Sequence, residues 1–294
     1  MTVEIKNLFQ TNVELLEILD KAVIYFREQN YPAALEYMPE VSEKMRHVID
    51  GIIYNKEYFE LVSTDSLMEM LEGIVEASRN VDYVLLADLL ELQLSTLICN
   101  VQELIIQKEE YAFFSTSMYQ EQCAAMVERL KTTSDGALVE ALFEEALDSE
   151  RLMEQGYRVE VTSCGLMTIA VKADRGTVYL HTNHKVAQEA FLLARSWVKE
   201  GVMTYCVKGF GMGYHVLELA KQAPEAKIVV HESNGQILKL ACAFSPLRKL
   251  FEKENIAVCY DPEGELWNKR VQAANEMEEF CLHMPTVQAE SAVF

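Results

Sequence analysis

The sequence predicts an α+β chain in two parts: an acidic all-α helical bundle over residues 1–150, then an α/β half over residues 151–294. The second half reads as a three-layer sandwich, helices on both faces of a parallel sheet, with an antiparallel β extension at its start. Three observations carry this. Apolar residues recur at three- and four-residue spacing from Asn12 to about Leu130, the period shifts to two at Tyr157, and helical and extended stretches alternate from His184 onward.

In the first part, Leu15, Leu16, Leu19, Val23 and Phe26 form one stripe, and Leu67, Met70, Leu71, Ile74 and Val75 another. The Asn30-Tyr31-Pro32 break divides the first two helices into a hairpin, because proline suits the first turn of a helix. Ser63-Thr64-Asp65-Ser66 offers several N-caps, and Glu69 follows Ser66 by three residues, as in a capping box. Five or so helices with short connections predict an antiparallel bundle. Ala33 and Ala34 in FREQNYPAALEYM have a faint tetratricopeptide flavour, but no second copy follows at the required period. Phe26, Tyr37, Met38, Tyr54 and Met70 read as core. Composition changes at Thr132-Thr133-Ser134-Asp135-Gly136, and one more helix runs to about Gln155, closed by Gly156, so the boundary falls between 131 and 157.

Beyond it, Tyr157–Val161, Met167–Val171 and Thr177–His181 are short β-branched and aromatic runs. The turn signals Ser163-Cys164-Gly165 and Asp174-Arg175-Gly176 separate them, which predicts an antiparallel meander. The alternation that follows reads helix 184–200, strand 203–207, helix 213–223, strand 227–231, helices within 234–254, strand 256–260, helix 264–279 and strand 280–284. That pattern builds a parallel sheet.

Composition narrows the functions. The net charge is −20, and residues 1–150 carry 10 Lys+Arg against 29 Asp+Glu, while the remainder is near neutral. Such a surface repels phosphate backbones and anionic lipid heads, so neither nucleic acid nor membrane is an expected partner of that half, whereas a protein partner with basic character is compatible with it. The N-terminus lacks a signal-peptide pattern, and the most apolar helix, near Tyr83 to Ile106, is interrupted by Asp88, Glu91 and Glu103, so no membrane span is expected. Seven scattered cysteines without CxxC spacing fit a reduced, cytoplasmic setting.

The strongest local motif is Tyr205-Cys206-Val207-Lys208-Gly209-Phe210-Gly211-Met212-Gly213-Tyr214-His215, a strand entering a helix through a glycine-rich turn. Three glycines let the backbone approach a small ligand, and the helix start offers free N–H groups, which makes Gly209, Phe210, Gly211, Met212 and Gly213 candidate ligand-binding residues. Tyr214 stands where the dinucleotide fingerprint needs its last glycine, which disfavours nicotinamide and flavin dinucleotides. The spacing is nearer the first motif of S-adenosylmethionine-dependent methyltransferases. Glu232, ending the strand Ile228-Val229-Val230-His231-Glu232, stands where an acid would hold ribose hydroxyls, but Val207 replaces the acid common before the first glycine. A divergent methyltransferase therefore stays open as an alternative.

The strand Thr177-Val178-Tyr179-Leu180-His181-Thr182-Asn183, the segment Gln188-Glu189-Ala190, the glycine turn and the strand ending in His231-Glu232 together resemble the N-terminal domain of the motility-associated factor (Maf) family. The resemblance covers roughly 155–285. It implies a Rossmann-like fold, a nucleotide or nucleotide-sugar ligand, and a setting of bacterial motility or surface glycosylation, with His181 and Asn183 added to the ligand-binding set. The family's glycosyl transfer is taken to lie in a related second domain, and this chain ends about where that domain would begin, so the resemblance implies a binding domain rather than a transferase.

His181 and His184 form an HxxH with no obvious third ligand, so no metal is expected; a loop-capping role suits His181. His215 lies in a first helical turn, facing ligand or solvent, and His231 and His283 read as structural. No nucleophile elbow, no phosphate-binding P-loop and no activated cysteine stand out, and Glu144-Glu145 and Glu109-Glu110 read as solvated faces. No catalytic residue is assigned and the cofactor is left open. A third reading, an interaction protein whose glycine turn has lost its ligand, is compatible with the same residues.

Overall fold

A computed structural model describes residues 2–109, 115–173 and 176–290. Its helices and strands run α1 (Val3–Arg27), α2 (Tyr31–Tyr54), α3 (Thr64–Arg79), α4 (Tyr83–Asp88), a π-helical stretch (Leu89–Leu94), α5 (Ser95–Lys108), α6 (Thr116–Lys131), α7 (Gly136–Glu144), α8 (Ser149–Glu154), β1 (Tyr157–Val161), β2 (Met167–Ala173), β3 (Gly176–Tyr179), α9 (Val186–Trp197), β4 (Thr204–Lys208), α10 (Tyr214–Gln222), β5 (Lys227–Glu232), α11 (Gly235–Phe244), α12 (Leu247–Phe251), β6 (Ile256–Tyr260), α13 (Glu265–Gln272), β7 (Glu278–Leu282) and α14 (Met284–Glu290). The chain is α+β, and its contacts group it into two compact units: Met1–Ala112 with Val161–Leu166, and Phe113–Glu160 with Met167–Phe294.

In the first unit α1 packs along α2 and α5, burying Leu15, Leu19 and Ala22 completely. Asn30 caps α2 through its side chain, which accepts from the Ala33 N–H, with Pro32 in the first turn. Residues 83–108 form one continuous 26-residue helix. Its buried stripe of Leu86, Leu90, Leu94, Ile98, Val101 and Ile105 passes through the π-helical stretch, where the Ser95 hydroxyl donates to the Leu90 carbonyl at 3.0 Å. By length and composition alone this helix could cross a membrane; Asp88, Glu91 and Glu103 do not remove it from that class, and 44% of its most apolar window is buried. Arg27 of α1 pairs with both Asp88 and Glu91.

Helix α3 corrects one detail of the capping pattern. Its N-cap is Ser63, whose hydroxyl accepts from the Ser66 N–H, so Ser66 lies inside the helix and Glu69 completes no box. Ser63→Ala is accordingly expected to cost about 1 kcal/mol, read as a lower urea midpoint. Ser66→Ala should cost a few tenths of that, and the reverse order would overturn the assignment.

The second unit holds a four-stranded parallel sheet of order β6-β5-β4-β7 and a three-stranded sheet of order β1-β2-β3, in which β2 and β3 are antiparallel. Strand β4 is central, with Tyr205, Cys206 and Val207 buried, and Lys208 at its end pairs with His231 of β5 and Leu282 of β7. The alternation from His184 is thus realised. Three details differ: the stretch 136–155 is two short helices, α7 and α8, rather than one; β3 ends at Tyr179, leaving His181 beyond it; and the expected helix 264–279 stops at Gln272, with the last strand at 278–282 in place of 280–284. Gly156, with φ of +85°, follows α8 as a left-handed closing residue. Of the expected turn Asp174-Arg175-Gly176 and the pair Glu109-Glu110, residues 174, 175 and 110 lie outside the described residues.

Helices α6 and α7 belong with this α/β core. Met126, Leu130 and Val139 share one apolar cluster with Val207, Val230 and Val258. The Gln122 amide donates to the Cys242 carbonyl at 2.8 Å, Arg129 donates to the carbonyls of Phe251 and Ile256, and the Tyr260 N–H donates to Ser134 Oγ at 2.7 Å. The composition break after Lys131 therefore separates two helices of the same unit, and the grouping differs from a division at residue 150.

Candidate functional site

The glycine turn begins where β4 ends. Gly209, Gly211 and Gly213 adopt φ of +96°, +52° and +79°, a left-handed region that costs any residue with a Cβ. All five residues of the turn are buried, and four of the turn's five N–H groups are taken up by the protein. Gly209 N donates to the His231 carbonyl at 2.8 Å and Gly213 N to the Phe210 carbonyl at 2.9 Å. Phe210 N donates to Glu232 Oε2 at 2.8 Å and Met212 N to His181 Nε2 at 3.1 Å. The two side chains that the sequence placed beside the turn, His181 and Glu232, are thus brought to it, and they bind its backbone.

Glu232 is completely buried. Its second oxygen, Oε1, accepts from the Asn234 N–H at 2.9 Å, and Asn234 in turn caps α11 by accepting from the Gln236 N–H at 3.0 Å and donates to the Tyr157 hydroxyl at 2.6 Å. One carboxylate therefore ties the β4 turn to the start of α11. Phe210 and Met212 are buried with the turn, whereas Asn183 is exposed.

Three histidines meet beside Gly211. His181 has its backbone pinned by Thr168, whose Oγ accepts from the His181 N–H at 3.0 Å and donates to the His181 carbonyl at 2.9 Å. Its Nδ1 lies 3.1 Å from Glu189 Oε1, and because its Nε2 accepts from Met212, the ring proton sits on Nδ1 and is donated to Glu189. The other oxygen of Glu189 accepts from the Thr182 N–H at 2.7 Å. His215 is fully buried, not turned towards solvent. Its Nε2 lies 3.1 Å from the Gly209 carbonyl, which can only accept, so Nε2 carries the proton and Nδ1 is a bare acceptor, buried without a hydrogen-bond partner. His283 follows β7, with Nδ1 2.6 Å from Thr286 Oγ1 and Nε2 buried without a partner. The rings of His215 and His283 stack at 4.1 Å and 7°, and His181 lies 5.0 Å from His283 and 5.9 Å from His215, centroid to centroid. Burial, and secondarily His181, pushes the His215 imidazole down to about 3; burial, then His215 and His181, holds His283 well below the ordinary histidine range. Both rings are therefore neutral at physiological pH.

The HxxH partner, His184, is exposed and does not join this group. The residues that do, His215 and His283, stand 34 and 102 positions after His181 in the chain, and the parallel pairing of β4 with β7 is what brings the last of them in. His231 sits apart from the cluster, 3.6 Å from Asp261 Oδ2 and edge-on to Trp267. Of the seven cysteines, five are buried, and all are free thiols.

A family model described as "Domain of unknown function (DUF8042)" matches residues 4–104, which lie in the helical unit. No curated protein and no solved structure matches the chain.

Proposed function

We propose that the α/β unit is a Rossmann-like module that binds a small ligand containing a nucleotide, seated beyond the carboxyl ends of the parallel strands. The observation that supports this reading is the strand order. Chain connections run from β4 outward through β5 to β6, then return to place β7 on the other side of β4, so the order reverses between β4 and β7. In open α/β sheets ligands sit in the crevice outside the carboxyl ends at such a reversal. Lys208 and the glycine turn leave β4 there, and His283 leaves β7. The likeness to the Maf N-terminal domain narrows the ligand to a nucleotide or nucleotide sugar in a motility or glycosylation setting. Because four of the turn's five N–H groups already have partners, the ligand meets side chains at the rim, Asn183 among them, more than the turn's backbone.

The test is a thermal-shift screen of the full chain against nucleoside di- and triphosphates, nucleotide sugars and S-adenosylmethionine. A nucleotide or nucleotide sugar is expected to raise Tm by several degrees, and Asn183→Ala to reduce that shift. Stabilisation by S-adenosylmethionine alone would replace this reading with the methyltransferase one, and stabilisation by nothing in the panel would sink both.

A second reading, recruitment of a protein partner by the helical unit, is favoured by a groove of about 530 Å³ between α3 and the helix 83–108, with Leu61 and Leu92 exposed at its rim. The acidity of that unit suits an amphipathic helix with basic flanks. Leu92→Asp should then abolish partner capture without altering any nucleotide response.

A further inference from the structure

We propose that His181, His215 and His283 form a binding site for a first-row divalent transition-metal ion. The three side chains can each offer one ring nitrogen, and the three atoms lie within 4.8 Å of one another. They come from three separate segments, after β3, at the start of α10 and after β7, so the grouping belongs to the tertiary fold and not to local spacing.

Two features point to an ion rather than to plain packing. First, His215 Nδ1 and His283 Nε2 are buried polar atoms with no hydrogen-bond partner. Such atoms are costly when left unsatisfied, and a shared ligand between them removes that cost. Second, each ring is oriented through its other nitrogen: His181 by the Glu189 carboxylate, His215 by the Gly209 carbonyl and His283 by the Thr286 hydroxyl. Metal-bound histidines characteristically donate their second ring N–H to a carboxylate, carbonyl or other oxygen, which fixes the tautomer and aims the free lone pair. Here that pattern occurs three times, with Nδ1–H of His283 donating to Thr286.

The geometry also says what must move. Three ligands at about 2.0–2.1 Å from an ion in tetrahedral arrangement stand roughly 3.3 Å apart, so the rings must close in, and the stacked pair must tilt out of parallel to bring both lone pairs onto one point. A Cβ on Gly211 would sit 3.0 Å from His181 Nε2 and 3.2 Å from His283 Cε1, so a side chain there would crowd the rings as they turn. The Met212 N–H bond to His181 Nε2 is given up when the ion takes that atom. Three neutral imidazoles suit Zn²⁺, Co²⁺, Ni²⁺ or Fe²⁺ over Mg²⁺ or Ca²⁺, and they leave a fourth position for water or another small donor. Glu189, bonded to His181, places one negative charge beside the buried dication.

The probe is Co²⁺, titrated into the chelator-treated full chain. One equivalent is expected to bind with visible d–d absorption and without the intense sulfur-to-cobalt charge-transfer band of thiolate ligation; X-ray absorption on the same wild-type sample should show imidazole scattering with light nitrogen and oxygen donors and no sulfur. Glu189→Gln, a positioning change on a half-exposed side chain, should weaken binding about 10–100-fold. His215→Phe and His283→Phe should abolish it, and His184→Ala should leave it intact. Absence of stoichiometric binding, sulfur ligation, or an unchanged affinity in Glu189→Gln would each overturn the site. The outcome is independent of the nucleotide screen, because no nucleotide is present in the titration.

Discussion

Glu232→Ala is expected to lower the stability of the protein by about 4 kcal/mol. The carboxylate is completely buried and accepts two charge-assisted bonds, from Phe210 N at 2.8 Å and Asn234 N at 2.9 Å. Hydrogen bonds to charged groups contribute about 1.5–3 kcal/mol each, and alanine leaves both donors buried and unpaired with nothing to replace the acceptor. The loss spreads along the chain, since Asn234 caps α11 and holds the Tyr157 hydroxyl. Glu232→Gln keeps one acceptor oxygen but turns an NH₂ group towards the second donor, so more than half of the loss should remain. Urea unfolding of the two variants measures the effect, and amide exchange at Phe210 and Asn234 locates it. An alanine variant within 1 kcal/mol of wild type would mean that water serves these donors as well as the carboxylate does.

Gly209→Ala should cost about 3 kcal/mol. The position has φ of +96°, and an added Cβ would meet Thr286 Cβ at 2.8 Å and His283 Cβ at 3.2 Å. Those contacts are with atoms fixed directly to the backbone of the segment after β7, so relief requires that segment to shift; strain at such a φ and overpacking each contribute about 1–3 kcal/mol. Gly201→Ala is the matched comparison. It has φ of +80° and nothing within 4 Å of its Cβ, so it carries the conformational cost alone, about 1–2 kcal/mol. The difference between the two, read from urea midpoints, isolates the close approach of the turn to Thr286. Equal losses would remove that contact from the account.

The elements were legible because their causes are local. The stripe Leu15, Leu19, Phe26 and the β-branched run Ile228-Val229-Val230 announce a helix and a strand whatever lies opposite them. What a stripe does not announce is its partner. Gln122, Met126 and Leu130 mark one face of α6, yet nothing in their spacing says that the face meets α11 and β6 and not the helices before it. The turn was legible as a turn because glycine alone serves three positive φ angles in five residues. That four of its five N–H groups are consumed was not, since His181 and Glu232 could have pointed outward from the same strand ends. The histidine cluster was the least visible: His181 and His184 share a local spacing but diverge, while His283 reaches His215 only because β7 pairs with β4 across about 70 residues of chain.

That pairing has a consequence for how the protein is made. During synthesis β4, β5 and β6 emerge and can pair in order, but the far edge of β4 stays open until residues 278–282 leave the ribosome. Through that interval a central strand with an apolar middle, Tyr205-Cys206-Val207, presents unpaired N–H and C=O groups, the condition under which nascent chains join one another edge to edge. A chain truncated after residue 277 should therefore aggregate more on refolding than the full chain, and a short peptide with the sequence of β7 supplied in trans would protect it.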